Sequence, residues 1–142
     1  MARRILVVED DPMNAKIFQL ILTRKAGYEV EVTEDPETVF QRARAGGVDA
    51  IIMDVSLSNS RVGGEPVDGL EISRRLKRDP EARRIPILLA TAHAMKGSRE
   101  DFLRASGADD YVSKPIVNSA ELIARIETLI QQRNHALPPP PR

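Results

Sequence analysis

Short apolar runs alternate with amphipathic stretches along the whole chain, and four of the runs end on a chemically active residue. RRILVVED, VDAIIMD, IPILLAT and ADDYVSKP close on Asp10, Asp54, Thr91 and Lys114-Pro115. Such runs, bounded by turn formers and separated by helical periodicity, predict βα units and a parallel sheet. The strands fall at about residues 5–9, 28–33, 50–53, 85–90 and 110–113, and a helix follows each. Asp11-Pro12 and Asp35-Pro36 both read as an N-cap with proline in the first helical position. Ile17, Leu20 and Ile21 give the first helix its buried face, and Gly27 ends it. Gly46-Gly47 stops the second helix. Asp68 with Glu71 caps a third, which carries Leu70, Ile72 and Leu76 and closes at Asp79-Pro80. Ser98 and Asp101 open a fourth around Phe102 and Leu103, ended by Gly107. Asn118 with Glu121 opens the last, whose apolar face is Leu122, Ile126, Leu129 and Ile130. Residues 55–67, rich in serine and glycine, show no periodicity and read as a loop. The tail HALPPPPR reads as a solvated, polyproline-like end that cannot extend a helix, leaving one domain over residues 1–134 and a tail over 135–142.

Composition narrows the function. A chain of 142 residues can bury one sizeable core. Lysine plus arginine and aspartate plus glutamate are balanced at 21 each, so no basic field argues for nucleic acid. The arginine pairs at 3–4, 74–75 and 83–84 read as solvated surface. Cysteine is absent, which excludes disulfides, thiolate catalysis and cysteine-held metal. The start MARRILVVEDD meets acids too early for a signal peptide, and no apolar run is long enough to span a bilayer. The expectation is a cytoplasmic protein that engages neither nucleic acid nor membrane.

The strand ends carry the chemistry. Ligands of open parallel sheets bind at the carboxyl edge of the strands. In the usual five-stranded doubly wound arrangement, order 2-1-3-4-5, strands one and three lie about 5 Å apart. Asp10 and Asp54 then face each other with Glu9 close by. Clustered carboxylates repel, and one takes up a proton unless a cation compensates. Mg²⁺, which accepts few protein oxygens and keeps several waters, suits that need. Thr91 offers a hydroxyl, and Lys114, about two strand spacings or 10 Å from Asp54, can reach in on its long stem. Pro115 is a candidate for a cis peptide bond that aims Lys114 inward. Singly, each residue has a plain structural explanation as cap, turn or surface lysine. Four strand ends supplying complementary groups make the case for phosphoryl chemistry.

ILVVED, IIMD, ATA and SKP, in this order, resemble the receiver domain of two-component response regulators over about residues 3–132. The resemblance implies a flavodoxin-like doubly wound (βα)5 fold with a five-stranded parallel sheet in the order 2-1-3-4-5, for which a chemotaxis receiver is a standard example. It implies that Asp54 is the phosphoacceptor, taking its phosphoryl group from a sensor or hybrid histidine kinase or a histidine phosphotransfer protein. It also implies Mg²⁺ held by Asp10, Asp54 and the Ser56 backbone carbonyl, with Glu9 acting through water. Thr91 matches the switch hydroxyl, Lys114 the family lysine and Tyr111 the aromatic switch, although plain packing on an edge strand also explains Tyr111. The stretch TAHAMKG is similar to stand-alone receivers and to receivers attached to hybrid kinases. Such a protein is a switch, catalysing only its own phosphorylation and dephosphorylation. With only QQRNHALPPPPR after Ile130, output is expected through contact with a downstream protein, around Met95, Lys96 and Tyr111.

One segment departs from the family. The position four residues after Asp54, usually proline, is Ser58, and the turn runs on through Asn59, Arg61, Gly63, Gly64 and Pro66 to Gly69. The excess of about six residues is tolerable as a surface insertion, because loop length costs little. Alternatively it shields an acyl phosphate or shapes kinase recognition. Three rival functions compete with this reading. Aspartyl-nucleophile phosphatases of the haloacid dehalogenase type need a second aspartate where this chain has Ser56; His93 could orient a water but reads as solvent-facing. A nucleotide-binding domain needs a glycine-rich turn, and EDDPMN is not one. A receiver-like adaptor that is never phosphorylated has no need of intact Asp10, Asp54, Thr91 and Lys114.

Overall fold

The computed structural model describes residues 2–57, 61–92 and 99–136. The chain runs β1 (Arg4–Val8), α1 (Pro12–Leu20), β2 (Glu29–Thr33), α2 (Pro36–Ala45), β3 (Ala50–Asp54), β4 (Arg61–Val62), β5 (Glu65–Pro66), α3 (Gly69–Arg78), β6 (Ile87–Thr91), α4 (Arg99–Ser106), β7 (Asp110–Ser113) and α5 (Ser119–Ala136). The main sheet has the order β2-β1-β3-β6-β7, and every pairing in it is parallel. With β4 and β5 set aside, this is the expected order 2-1-3-4-5.

The sheet is covered on both faces, as a parallel sheet must be. β3 and β6 are buried at every residue, which is why their sequences read as continuous apolar runs. On one face Phe18 and Leu22 from the first helical stretch, with Leu122, Ile126 and Ile130 from α5, pack on Ile5, Val7, Ile52 and Leu88. On the other, Val39 and Phe40 from α2 and Ile72 and Leu76 from α3 pack on Leu6, Val8, Ile51, Met53 and Leu89. Four of the predicted caps form. Asp11, Asp35, Asp68 and Asn118 accept backbone N–H bonds from Met13, Thr38, Glu71 and Glu121 at 3.1, 3.3, 2.9 and 3.0 Å. No helix among the described residues is long and apolar enough to cross a membrane.

Several expectations are corrected. The buried stripe of α1 is Ala15 and Phe18, continued by Leu22, whereas Ile17 and Leu20 stay 37% and 41% exposed and Ile21 is half-buried. Only one stripe can face the sheet, and this phase buries the large Phe18 ring. The helix then widens into a π-helical turn over Ile21–Lys25. The 55–67 segment is not all loop. β4 and β5 form an antiparallel hairpin whose turn, Gly63-Gly64, has φ of 59° and 84°, values that glycine adopts without steric cost. Leu57 and Val67, flanking the insertion, are both buried in the core. β6 starts at Ile87 rather than residue 85, because Ile85 donates to the Ala82 carbonyl in a turn and Pro86 has no N–H to give. α5 runs to Ala136, two residues into the expected tail, since proline first occurs at Pro138. Ser58, Asn59, His93, Met95, Lys96, Ser98 and residues 137–142 lie outside the described residues.

Among the described residues, the large apolar side chains left exposed are Met13, Ile17, Leu20 and Val117. Three lie on α1 and the fourth just before α5, so all belong to the same layer.

Candidate active site

Side chains alternate across a strand, and that alternation selects which acids meet. Val7, Ile52 and Val112 face the α1/α5 layer, so Glu9, Asp54 and Lys114, each two residues further on, project to the same side. Glu9 and Asp54 are buried, at 4% and 3% exposure. The Lys114 ammonium Nζ donates to Glu9 Oε1 at 3.0 Å and to Asp54 Oδ1 at 2.9 Å. The chain therefore brings a lysine from the end of β7 across β6 to carboxylates at the ends of β3 and β1. Asp10 is half-buried, and one carboxylate oxygen each from Glu9, Asp10 and Asp54 lies within 4.8 Å of the others.

The electrostatics show the strain of that grouping. Burial, and then the hydrogen bond to Asp54, push Glu9 up to about 7 against the opposing pull of Lys114. Burial alone would lower the Lys114 ammonium, but its bonds to Asp54 and Glu9 outweigh that and hold it above its ordinary value. Three carboxylates with one ammonium among them leave an excess of negative charge. Hard oxygen donors this close, partly neutralised and partly carrying a proton, fit a small divalent cation such as Mg²⁺.

Of the remaining predicted residues, Ser56, Thr91 and Pro115 adjoin this cluster and Tyr111 does not. Ser56 is exposed, and its N–H donates to Asp54 Oδ1 at 3.2 Å. Thr91, the last residue of β6, is fully buried, and its carbonyl accepts the Lys114 N–H at 2.8 Å. The Lys114–Pro115 peptide is cis. Tyr111 lies on the opposite face from Lys114, half-buried, with its ring 6.4 Å from that of Phe102 on α4 and tilted by 41°. The direct ion pair between Glu9 and Lys114 was not anticipated. The signal was available, because Glu9 shares the facing of Val7 while Asp10 does not.

Known proteins resemble this chain in sequence and fold. The family model for the response regulator receiver domain matches residues 5–127. The polar-differentiation response regulator DivK of Brucella ovis is 37% identical over 116 residues, covering 82% of this chain and 87% of that protein. A receiver domain from a sensor histidine kinase of Pseudomonas aeruginosa, solved with a magnesium ion coordinated in its active-site cleft, is 33% identical, with a TM-score of 0.76 over 92% of this chain and 99% of that one. A putative response regulator from Chloroflexus aurantiacus is 30% identical, with a TM-score of 0.78 and the same coverage. Fold order, the acid–lysine cluster and sequence relationship agree: the chain belongs to the response regulator receiver domain family of two-component signalling.

Proposed function

We propose that Asp54 is the phosphoacceptor of a reversible signalling switch and that the donor is a phosphohistidine on a kinase or phosphotransfer protein. The observation that carries this reading is the half-buried Lys114 whose ammonium is bonded at once to Glu9 and Asp54. An Asp54 carboxylate oxygen forms a bond to phosphorus as the bond from phosphorus to the donor imidazole nitrogen breaks. The leaving imidazole keeps the electron pair and is protonated from solvent. Lys114 places a fixed positive charge beside the oxygens of the transferring group. Thr91 supplies a hydroxyl to one phosphoryl oxygen once the acyl phosphate exists.

Asp10, Asp54 and the Ser56 carbonyl, with Glu9 through a water, would hold Mg²⁺, which when bound offsets the charge of the incoming phosphoryl group. Ser56 stands where a phosphatase would carry its general acid, so this chain has no side chain there to hasten hydrolysis. The acyl phosphate can then last long enough to be read.

The donor surface is the exposed apolar stripe Met13, Ile17 and Leu20, together with Val117. Spacings of four and three residues along α1 put the stripe on one helix face, and the helix starts directly after Asp10 and Asp11. A partner presenting its histidine on a helix can bury that stripe while holding the phosphohistidine at the cluster. Output leaves through α4, β7 and α5 at the β7 edge of the sheet, where Tyr111 sits. The switch extends at least to Ala136, where α5 ends.

Incubation with acetyl phosphate and Mg²⁺, followed by intact mass, tests the function. The expected result is a gain of one phosphoryl group by the wild type and none by Asp54→Asn. A wild type that gains nothing would favour the adaptor that is never phosphorylated.

A further inference from the structure

Gly69 opens α3, but its backbone has none of the positive φ values that call for glycine elsewhere in this chain. A Cβ built at this position would lie 1.8 Å from the Asp54 carbonyl oxygen and 2.8 Å from the Asp54 carbonyl carbon. Both are backbone atoms of the phosphoacceptor itself, so no side chain can swing aside to make room. The next nearest atom, Met53 Cγ, is at 3.1 Å. The Gly69 N–H donates to the Val55 carbonyl at 3.1 Å, which ties the first turn of α3 to the segment just after Asp54. Asp68 fixes that turn through its bond to the Glu71 N–H. Alanine is the better helix former, so local preference does not explain a glycine here. The close approach does.

From this contact we propose that Gly69 is a positioning residue for phosphoryl transfer: the bare Cα lets α3 seat against the Asp54 carbonyl and so fixes the height of the Asp54 carboxylate relative to Lys114. Any side chain at 69 must lift α3 or push the end of β3 away. Either movement acts on a carboxylate held at 2.9 Å from the lysine, and displacements of about 1 Å in a reacting geometry can cost on the order of a hundredfold in rate. This inference rests on Asp54 being the phosphoacceptor.

The test compares wild type, Gly69→Ala and Leu76→Ala. Leu76→Ala removes core packing from the same helix without touching Asp54. Phosphorylation by acetyl phosphate is followed by intact mass at saturating Mg²⁺, and each rate is divided by the folded fraction from circular dichroism. The expected result is a loss of at least tenfold per folded molecule in Gly69→Ala and little change in Leu76→Ala. If Gly69→Ala melts below the assay temperature, all three rates are taken with trimethylamine N-oxide, which favours the compact state. A wild-type rate per folded molecule in Gly69→Ala, or an equal loss in Leu76→Ala, overturns the proposal. A wild type that takes up no phosphoryl group is a separate outcome: it overturns the phosphoacceptor reading and this inference with it.

Discussion

Glu9 is the residue under the most conflicting demands. It is buried, shares a hydrogen bond with another carboxylate and faces a single lysine, and the outcome is a pKa of about 7 against an ordinary 4.5. Between those two values the folded protein holds a proton there that the unfolded chain has released. Stability therefore falls as pH rises across that window, and the penalty is complete above about 7. In metal-free protein the melting temperature should rise by a few degrees on going from neutral pH to about pH 5.5, and Glu9→Gln should abolish most of that slope. Glu71 and Asp79, whose carboxyls arginine contacts hold below their ordinary range, lose their contribution only at more acid pH and leave the window to Glu9. A wild-type slope identical to that of Glu9→Gln would contradict the assignment. The four strand-end residues were readable because each terminates an apolar run. The closeness of Gly69 to the Asp54 carbonyl was not, since a glycine that opens a helix after a long loop looks locally like the end of a turn.

Elements were legible wherever the signal is local. Aspartate-proline caps and the Asn118 cap announce helix starts through bonds made within three residues, and all appear where expected. Periodicity leaves the facing of α1 open because two overlapping apolar stripes compete, and burial of Phe18 decides between them only in the presence of the sheet. That facing leaves Met13, Ile17 and Leu20 on the outside. Replacing Ile17 and Leu20 by glutamate should slow transfer from a phosphohistidine-bearing helical donor at least tenfold while leaving acetyl phosphate uptake unchanged. Rates that fall equally with both donors would remove α1 as the docking face. The β4–β5 hairpin escaped notice because two-residue strands carry no periodicity; only Gly63-Gly64 between Val62 and Glu65 hinted at a tight turn.

At the scale of the molecule, a parallel sheet clad on both faces gathers one edge into a site and leaves its other surfaces for partners. βα alternation made that architecture readable, whereas strand order came from resemblance, because periodicity does not say which strands are neighbours. Signalling requires the edge to be coupled to a surface. Thr91 and Lys114 are joined through the backbone at 2.8 Å, and Tyr111 packs against Phe102 of α4. A two-state equilibrium biased by new contacts at Thr91 and Lys114 would use those links. Thr91→Ala should accept phosphate on Asp54 yet give a weakened shift of the Tyr111 and α4 resonances in NMR spectra; a full shift would contradict the coupling. All of this depends on where the phosphoryl group sits. Borohydride reduction of the phosphorylated protein, with peptide mass spectrometry, locates an acyl phosphate by converting its aspartate to homoserine. The account predicts homoserine at position 54 and nowhere else; an intact Asp54 with homoserine at another aspartate would contradict it.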